Sequence, residues 1–318
     1  MGKVLFLNMA WDAAGCSILQ CKAINQHTNW QARHFRAVPT FGYDTDITPE
    51  NYDRDEFQVL MGNMDVIEWC SADYTYNSKH DFGFNLWDVA KNKINIFHDY
   101  NSFPGHWQDR ASVKDYWNRK DVHKFDAIFS SIPQAVYIYK DCVYIPDVVD
   151  ERSSEYIPDE FRDFSEVRLG HWPTGGGNNK NTMELREAIK REPVNYDIPA
   201  GTISHADVLT AKRGVNIGFD ALWRGFHGMT TIENMALGIP TMCNIDDFFW
   251  DVFWECFETD KKPFEDVKNI DGIAACLKKY RNDTESLRRR ALEVRSFMEN
   301  YWSFKNVAVR IVGEYEKI

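Results

Sequence analysis

The segment from Gly225 to Pro240 combines residue types that can bind an anion. It reads GFHGMTTIENMALGIP, a glycine-containing loop leading into a short helix, which Gly238 ends and Pro240 prevents from continuing. The backbone N–H groups of such a loop and of the first helical turn suit a diphosphate. Thr230 and Glu233 also have the spacing of a capping box, in which Glu233 only ties off the helix start. From the residues alone, capping is the favoured role of Glu233.

A second candidate phosphate-binding segment runs from Gly170 to Thr182 and reads GHWPTGGGNNKNT. Its pattern predicts a strand, a glycine-rich loop and a helix start that follows Lys180. Glycines let the backbone approach a phosphate closely, and Lys180 supplies positive charge. Alone, the segment could equally be a glycine turn with an exposed lysine. Together with the first segment, it favours a phosphate site.

Two segments of the first half place polar groups after apolar strands. INIFHDY (94–100) ends with His98 and Asp99, which can present an imidazole and a carboxylate at the edge of a cleft. A lone histidine is more often structural, and that alternative stays open. NMAWDAAGCS (8–17) follows the first predicted strand and contains Gly15.

Motifs for other chemistries are missing from the sequence. Asp44 and Asp46 form a D-x-D pair, but they lie in a polar loop rather than at the end of an apolar strand. The sequence has no H-E-x-x-H or Cys/His group for zinc, no G-x-G-x-x-G for a nicotinamide dinucleotide and no G-x-S-x-G for a hydrolase. We therefore predict no metal site.

Composition restricts the partners of the chain. Its 318 residues suffice for about two domains, and a net charge of −11 works against general attraction to nucleic acid or to an anionic membrane. No stretch approaches the roughly 18 apolar residues that span a bilayer, so we predict no stable membrane insertion. Seven scattered cysteines without a CxxC pair indicate reduced thiols in a cytoplasmic protein.

Short apolar runs alternate with helical patterns, which is typical of α/β layering with parallel strands. We expect a first domain over 1–150, a connection rich in Asp, Glu and Ser over 146–164, a second domain over 165–300 and a terminal helix over 301–318. The predicted strands are 4–8, 59–61, 66–69, 94–98, 127–130, 143–145, 167–171, 215–220 and 241–243.

These segments resemble retaining glycosyltransferases of the GT-B fold, especially the family-four type (glycosyl transferases group 1). ENMALGIP (233–240) matches that family's E-A-M-A-x-G-x-P signature with one change, and the glycine-rich loop is similar to its H-x-P-T loop ending in Lys. The resemblance is specific over 165–318 and thinner over 1–150. It implies an α/β protein with two Rossmann-like, doubly wound domains facing a central cleft, and a C-terminal helix crossing back to the N-terminal, acceptor-side domain.

The resemblance also implies roles for individual residues. Glu233 would hold the donor ribose, Lys180 would neutralise the leaving diphosphate, and His98 would lie under the transferred sugar, with Asp99 orienting it or contacting the acceptor. The family has a Glu where this chain has Gly225, so that contact would be missing or supplied by His227 or Arg224. The remaining implied donor-binding residues are Gly15, Thr174, Gly175, Gly228, Met229, Thr230 and Thr231.

By this resemblance, the chain moves a hexosyl or pentosyl group from a UDP- or GDP-sugar to an acceptor hydroxyl, with retention and without a metal or other cofactor. The acceptor would be a glycan or a hydroxymethylated DNA base, as in some phage-encoded enzymes, which act in the host cytoplasm. A GT-B epimerase or phosphorylase, or a catalytically silent sugar-nucleotide-binding protein, are the alternatives. Failure to bind any nucleotide would instead favour a non-enzymatic protein.

Overall fold

The computed structural model describes residues 1–11, 13–38, 43–70, 82–100, 122–138, 141–173, 180–201, 203–222 and 225–318. The chain forms two compact units, one of Met1–Val148 with Phe304–Ile318 and one of Val149–Ser303. Each unit contains one parallel sheet with helices. No helix within the described ranges is both long and apolar enough to cross a membrane.

The first unit is built on six parallel strands. They follow the order β2-β1-β3-β4-β5-β6. β2 lies on one side of β1 and the later strands lie on the other, so the direction in which strands are added reverses between β1 and β3. Its strands are β1 (Lys3–Trp11), β2 (Gln31–Val38), β3 (Val66–Cys70), β4 (Ile94–Asp99), β5 (Ala127–Ser130) and β6 (Cys142–Tyr144). Its helices are α1 (Cys16–His27), α2 (Arg54–Gly62), α3 (Leu86–Ala90), α4 (Pro133–Ile138) and, from the end of the chain, α11 (Phe304–Tyr315).

The second unit repeats this design with five parallel strands. Their order is β11-β10-β9-β7-β8, which is the same 2-1-3-4-5 arrangement counted from β7. Its strands are β7 (Arg168–Gly170), β8 (Asn195–Asp197), β9 (Ile217–Phe219), β10 (Thr241–Cys243) and β11 (Glu265–Asp266). Its helices are α5 (Thr182–Arg191), α6 (His205–Lys212), α7 (Met229–Ala236), α8 (Asp247–Phe257), α9 (Ile270–Asn282) and α10 (Thr284–Asn300).

The C-terminal helix α11 packs in the first unit. Tyr315 is buried, donates its hydroxyl hydrogen to the Glu68 carboxylate on β3 and stacks on Phe129 of β5 with 6.0 Å between ring centroids. This return of the last helix, together with the two doubly wound sheets, confirms the predicted fold class.

One predicted strand, 59–61, is wrong. These residues belong to α2, whose start is capped by Asp53: its carboxylate accepts from the backbone amides of Asp55 and Glu56. Phe57 and Met61 are buried one helical turn apart, so the apolar run is one face of a helix rather than a strand.

Candidate functional site

Lys180 and Asp220 meet in the second unit, where the order of its strands reverses between β7 and β9. β7 and β9 are neighbouring parallel strands, with Leu169 opposite Ile217 and Gly170 opposite Gly218. The chain after β7 leads to Lys180, and Asp220 follows β9 directly. In doubly wound sheets, the carboxyl ends of the strands at this point form the usual ligand crevice.

The Asp220 carboxylate is the centre of this site. It is 3% exposed, and its Oδ1 lies 2.5 Å from the Lys180 ammonium. Its Oδ2 accepts from the backbone amide of Gly228 at 2.6 Å and from the Thr231 hydroxyl at 3.0 Å. Burial alone would raise the pKa of Asp220, but the charge of Lys180 and these hydrogen bonds hold it well below its usual range. Asp220 is therefore a buried anion at a helix N-terminus.

Gly228 is the residue that precedes α7. A Cβ built on it would lie 3.0 Å from Asp220 Oδ2 and 3.2 Å from Lys180 Nζ, so a side chain would crowd the ion pair. Met229 and Thr230 of the first turn are half-buried. The positive end of the α7 dipole thus faces the same place as the Lys180 ammonium, an arrangement that can hold an anion.

The capping box predicted for Glu233 does not form. Gly228, not Thr230, is the N-cap of α7, because the helix already begins at Met229. The Glu233 carboxylate instead lies 2.6 Å from the Lys212 ammonium and 2.6 Å from Nε2 of His205.

This three-residue cluster of Glu233, Lys212 and His205 is charged. Burial raises the pKa of Glu233, but Lys212 and His205 outweigh it and lower that pKa to about 2. The hydrogen bond to Glu233 raises the pKa of His205, and burial lowers that of Lys212. The Lys212 side chain is fully buried, whereas that of His205 is 23% exposed. The Glu233 carboxylate is therefore ionised, with Lys212 bound to one of its oxygens and His205 to the other.

His171 connects the elements beneath the site. Its Nδ1 lies 3.0 Å from the carbonyl oxygen of Phe219 and its Nε2 lies 2.8 Å from the Thr182 hydroxyl. Burial lowers the pKa of His171 to about 4, so the ring is neutral at pH 7. Because a carbonyl only accepts, Nδ1 carries the hydrogen and Nε2 accepts from Thr182. β7, β9 and the start of α5 are thereby fixed together.

His227, a candidate sugar contact, is packed in an aromatic cluster. It is 3% exposed, stacks on Phe264 with 5.4 Å between ring centroids and meets Trp302 edge-on at 4.9 Å. Burial lowers its pKa to about 4. In this structure the imidazole belongs to the core beside α8 rather than to an open surface.

In the first unit, the prediction for Gly15 falls on a position that requires glycine. Gly15 has φ +74°, lies directly before α1, and a Cβ on it would overlap the Tyr43 ring. It is positioned after β1, where a loop can approach a ligand closely.

His98 and Asp99 end β4, but both are fully buried. The His98 Nδ1 lies 2.5 Å from Glu68 Oε1, and the ring stacks on Tyr100 at 3.9 Å. The Tyr100 hydroxyl lies 2.6 Å from Gln20 Oε1 and 3.1 Å from Glu68 Oε1. The imidazole expected at the edge of a cleft is thus part of a buried polar network, because Glu68 needs donors in the core.

Three predicted donor-binding residues, Thr174, Gly175 and Arg224, lie outside the described residues. Within the described part of the chain, no group of three or more His, Cys, Asp or Glu side chains could hold a metal ion. A cavity of about 350 Å³ is lined mainly by residues of β11, α9 and α10, none of which is a predicted donor residue. Its wall includes Arg290, which donates to Glu265.

Sequence reasoning missed Asp220, Lys212 and His205. Asp220 could have been found from its place, since an acid at the carboxyl end of a predicted strand between two phosphate-binding loops needs a cation. Lys212 and His205 gave no such signal, because their shared partner Glu233 lies more than twenty residues away in sequence.

Comparison with solved structures agrees with the two-sheet architecture. Sucrose-phosphate synthase from Thermosynechococcus elongatus superposes with a TM-score of 0.65 at 11% identity, over 99% of this chain and 98% of that one. Anabaena HepE in complex with UDP and glucose gives a TM-score of 0.66 at 11% identity, over 100% of both chains. The chain has the GT-B glycosyltransferase fold. A glycosyltransferase from Rickettsia africae shares this GT-B fold with a TM-score of 0.62 at 14% identity, over 99% of this chain and 98% of that one. No protein-family model matches the sequence, and no curated protein matches it.

Proposed function

We propose that this protein transfers a glycosyl group from a nucleotide-sugar donor to an acceptor hydroxyl. The observation that carries the proposal is the pairing of a cation, Lys180, with the helix N-terminus at Gly228. Both lie where the strand order of the second sheet reverses, in a GT-B fold. A nucleoside diphosphate leaving group needs such a site, because negative charge grows on it as the glycosidic bond breaks. Anabaena HepE, a structural neighbour, binds UDP-glucose.

The donor half of the site has three parts in this proposal. Lys180 and the first turn of α7, from Met229 to Thr231, bind the diphosphate. Glu233, an ionised carboxylate that Lys212 and His205 hold in place, accepts from the ribose hydroxyls. Thr174, Gly175, Arg224 and Gly15 remain predicted contributors.

The reaction breaks the bond between the anomeric carbon and the diphosphate oxygen. A new bond forms between that carbon and the acceptor oxygen, whose proton is released. We propose retention, with attack from the face that the diphosphate leaves, and charge neutralisation by Lys180 and the α7 dipole rather than by a metal. His98 is given a structural role, since its ring is fully buried against Glu68.

A glycan is the acceptor we favour. The net charge of −11 disfavours a polyanionic acceptor, so hydroxymethylated DNA is the second candidate.

Thermal-shift measurements with UDP, GDP, UDP-glucose, UDP-N-acetylglucosamine and GDP-mannose test the donor side. A ligand that binds only the folded state stabilises it by about 2.7 kcal/mol at about 100 times Kd. We expect one nucleotide family to raise Tm, and slow release of free sugar from the matching donor. Absence of any shift would contradict the proposal, and binding without sugar release or transfer would indicate a silent binding protein.

A further inference from the structure

The loops after β9 and β10 run side by side at the carboxyl edge of the second sheet. The backbone amide of Asn244 donates to the carbonyl of Ala221 at 2.9 Å, and the amide of Asp246 donates to that of Gly225 at 2.8 Å. β9 and β10 are themselves neighbouring parallel strands. Asp246 is therefore fixed beside the loop that begins at Asp220 and leads into α7.

The Asp246 carboxylate lies against the backbone of Gly225. Gly225 has φ +69°, and a Cβ built on it would overlap that carboxylate. The positive φ favours glycine at this position, and the Asp246 carboxylate fills the space that a side chain would take. Gly225, three residues before Gly228, has no side chain of its own. The carboxylate beside it comes from Asp246, in the loop after β10.

This carboxylate has no structural task that the described residues reveal. Asp246 is the N-cap of α8, where an aspartate usually accepts from amides of the first turn, yet it makes no such bond. The neighbouring Lys268 ammonium lies 3.0 Å from Asp266 and also donates to the carbonyl of Ile245. The backbone amide of Ile245 donates to Asp266 rather than to Asp246. Among the described residues, none donates a hydrogen bond to the half-buried Asp246 carboxylate.

We propose that Asp246 recognises hydroxyl groups of the sugar that the donor carries, an inference that rests on the proposed function. A half-buried carboxylate to which no described residue donates gains most from a ligand with adjacent O–H groups, which its two oxygens can accept together. The same charge repels a carboxylate on the sugar. Asp246 therefore selects a neutral, hydroxyl-rich hexose over a uronic acid, and it is a specificity-determining residue for the donor.

The charged groups around Asp246 also affect its carboxylate. Partial burial raises the pKa of Asp246, Lys268 opposes this, and Asp247 and Asp266 add to it. Such a carboxylate is incompletely solvated, so hydrogen bonds from sugar hydroxyls replace few bonds to water.

The experiment compares Asp246→Asn with a matched control, Asp247→Asn, which removes an exposed charge one residue away. Dissociation constants are measured by calorimetry for UDP, UDP-glucose and UDP-glucuronic acid, with GDP and GDP-mannose as the second set. We expect Asp246→Asn to leave the nucleoside diphosphate Kd unchanged, to weaken the neutral sugar nucleotide about tenfold and to reduce discrimination against UDP-glucuronic acid. Asp247→Asn should change none of these values.

An unchanged sugar-nucleotide Kd in Asp246→Asn overturns the inference, and so does an equal weakening of UDP and UDP-glucose, which would indicate a structural effect. Tm of each variant identifies a folding defect. If the wild type binds neither set of nucleotides, the proposed function itself fails. Normal UDP binding with no role for Asp246 contradicts only the present inference.

Discussion

The Lys180 ammonium lies 2.5 Å from Oδ1 of Asp220, and the carboxylate's other oxygen accepts from the amide of Gly228. In the proposed function, the diphosphate would meet a cation whose position a buried anion has already fixed. Asp220 thus fixes the position of the Lys180 ammonium, and its own negative charge offsets part of the ammonium's positive charge. The balance between the two residues can be measured separately in stability and in nucleotide affinity.

Replacing Lys180 with Met should lower both the free energy of unfolding and the affinity for a nucleoside diphosphate. The buried Asp220 carboxylate would lose its cation, and breaking a buried pair on one side costs about 3–5 kcal/mol of unfolding free energy. Affinity for UDP or GDP should fall, whereas affinity for uridine or guanosine should not, because Lys180 is proposed to contact only phosphate. Urea unfolding and calorimetry measure the two effects.

The double variant Lys180→Met, Asp220→Asn separates these roles. It removes both charges, so most of the lost stability should return while the nucleoside diphosphate affinity stays low. Recovery of UDP or GDP affinity in the double variant would show that Lys180 is not the phosphate ligand.

Acid should destabilise the second unit partly through Glu233. Its pKa is about 2 in the folded protein, against about 4.3 in an unfolded chain, a difference worth about 3 kcal/mol. Because the folded pKa is lowered, this stability is complete above the unfolded pKa and is lost as pH falls towards 2. Glu233→Gln should therefore show a flatter dependence of unfolding free energy on pH between about 5 and 2.

Glu285→Gln is the matched control for this measurement, since the Glu285 side chain is 61% exposed. It should keep the wild-type dependence on pH. His205 acts in the opposite direction: its pKa is raised, so its contribution is complete at low pH and is lost as pH rises through its folded pKa. Identical acid profiles for wild type and Glu233→Gln would contradict this account.

The strands that were predicted from the sequence are strongly apolar, whereas a strand that itself carries several polar residues was missed. β2 carries Arg33, His34 and Arg36 within eight residues, a composition that hides a strand. It forms because β1 pairs with it in parallel from Lys3 to Asn8. Local pattern could not reveal this, since the stabilising contacts come from another part of the chain.

The candidate site of the second unit was partly predictable for a related reason. Gly228 and Lys180 belong to local motifs, whose glycines and charge can be read from neighbouring residues. Asp220 and the Glu233 cluster depend on contacts between loops and helices that are distant in sequence. The role of Glu233 as a cap failed because the helix starts one residue before Thr230.

Chelation of divalent metals should leave transfer unchanged. In the proposed mechanism, Lys180 and the N-terminus of α7 neutralise the leaving diphosphate, so no step requires a metal ion. Initial rates with the donor identified by thermal shift, with and without EDTA, test this directly. A loss of activity that Mg²⁺ or Mn²⁺ restores would contradict the prediction.

Substitution of His98 separates a catalytic role from a structural one. The ring is fully buried, with Nδ1 2.5 Å from Glu68 Oε1, so His98→Gln should lower the unfolding free energy by about 1–3 kcal/mol by weakening a buried hydrogen bond. Tyr315→Phe is the matched variant, because it removes another donor from the same carboxylate. Both variants should retain the wild-type kcat per folded molecule and the wild-type donor Kd. A large fall in kcat for His98→Gln, with Tyr315→Phe unaffected, would instead place His98 at the reacting sugar and require its exposure when donor binds.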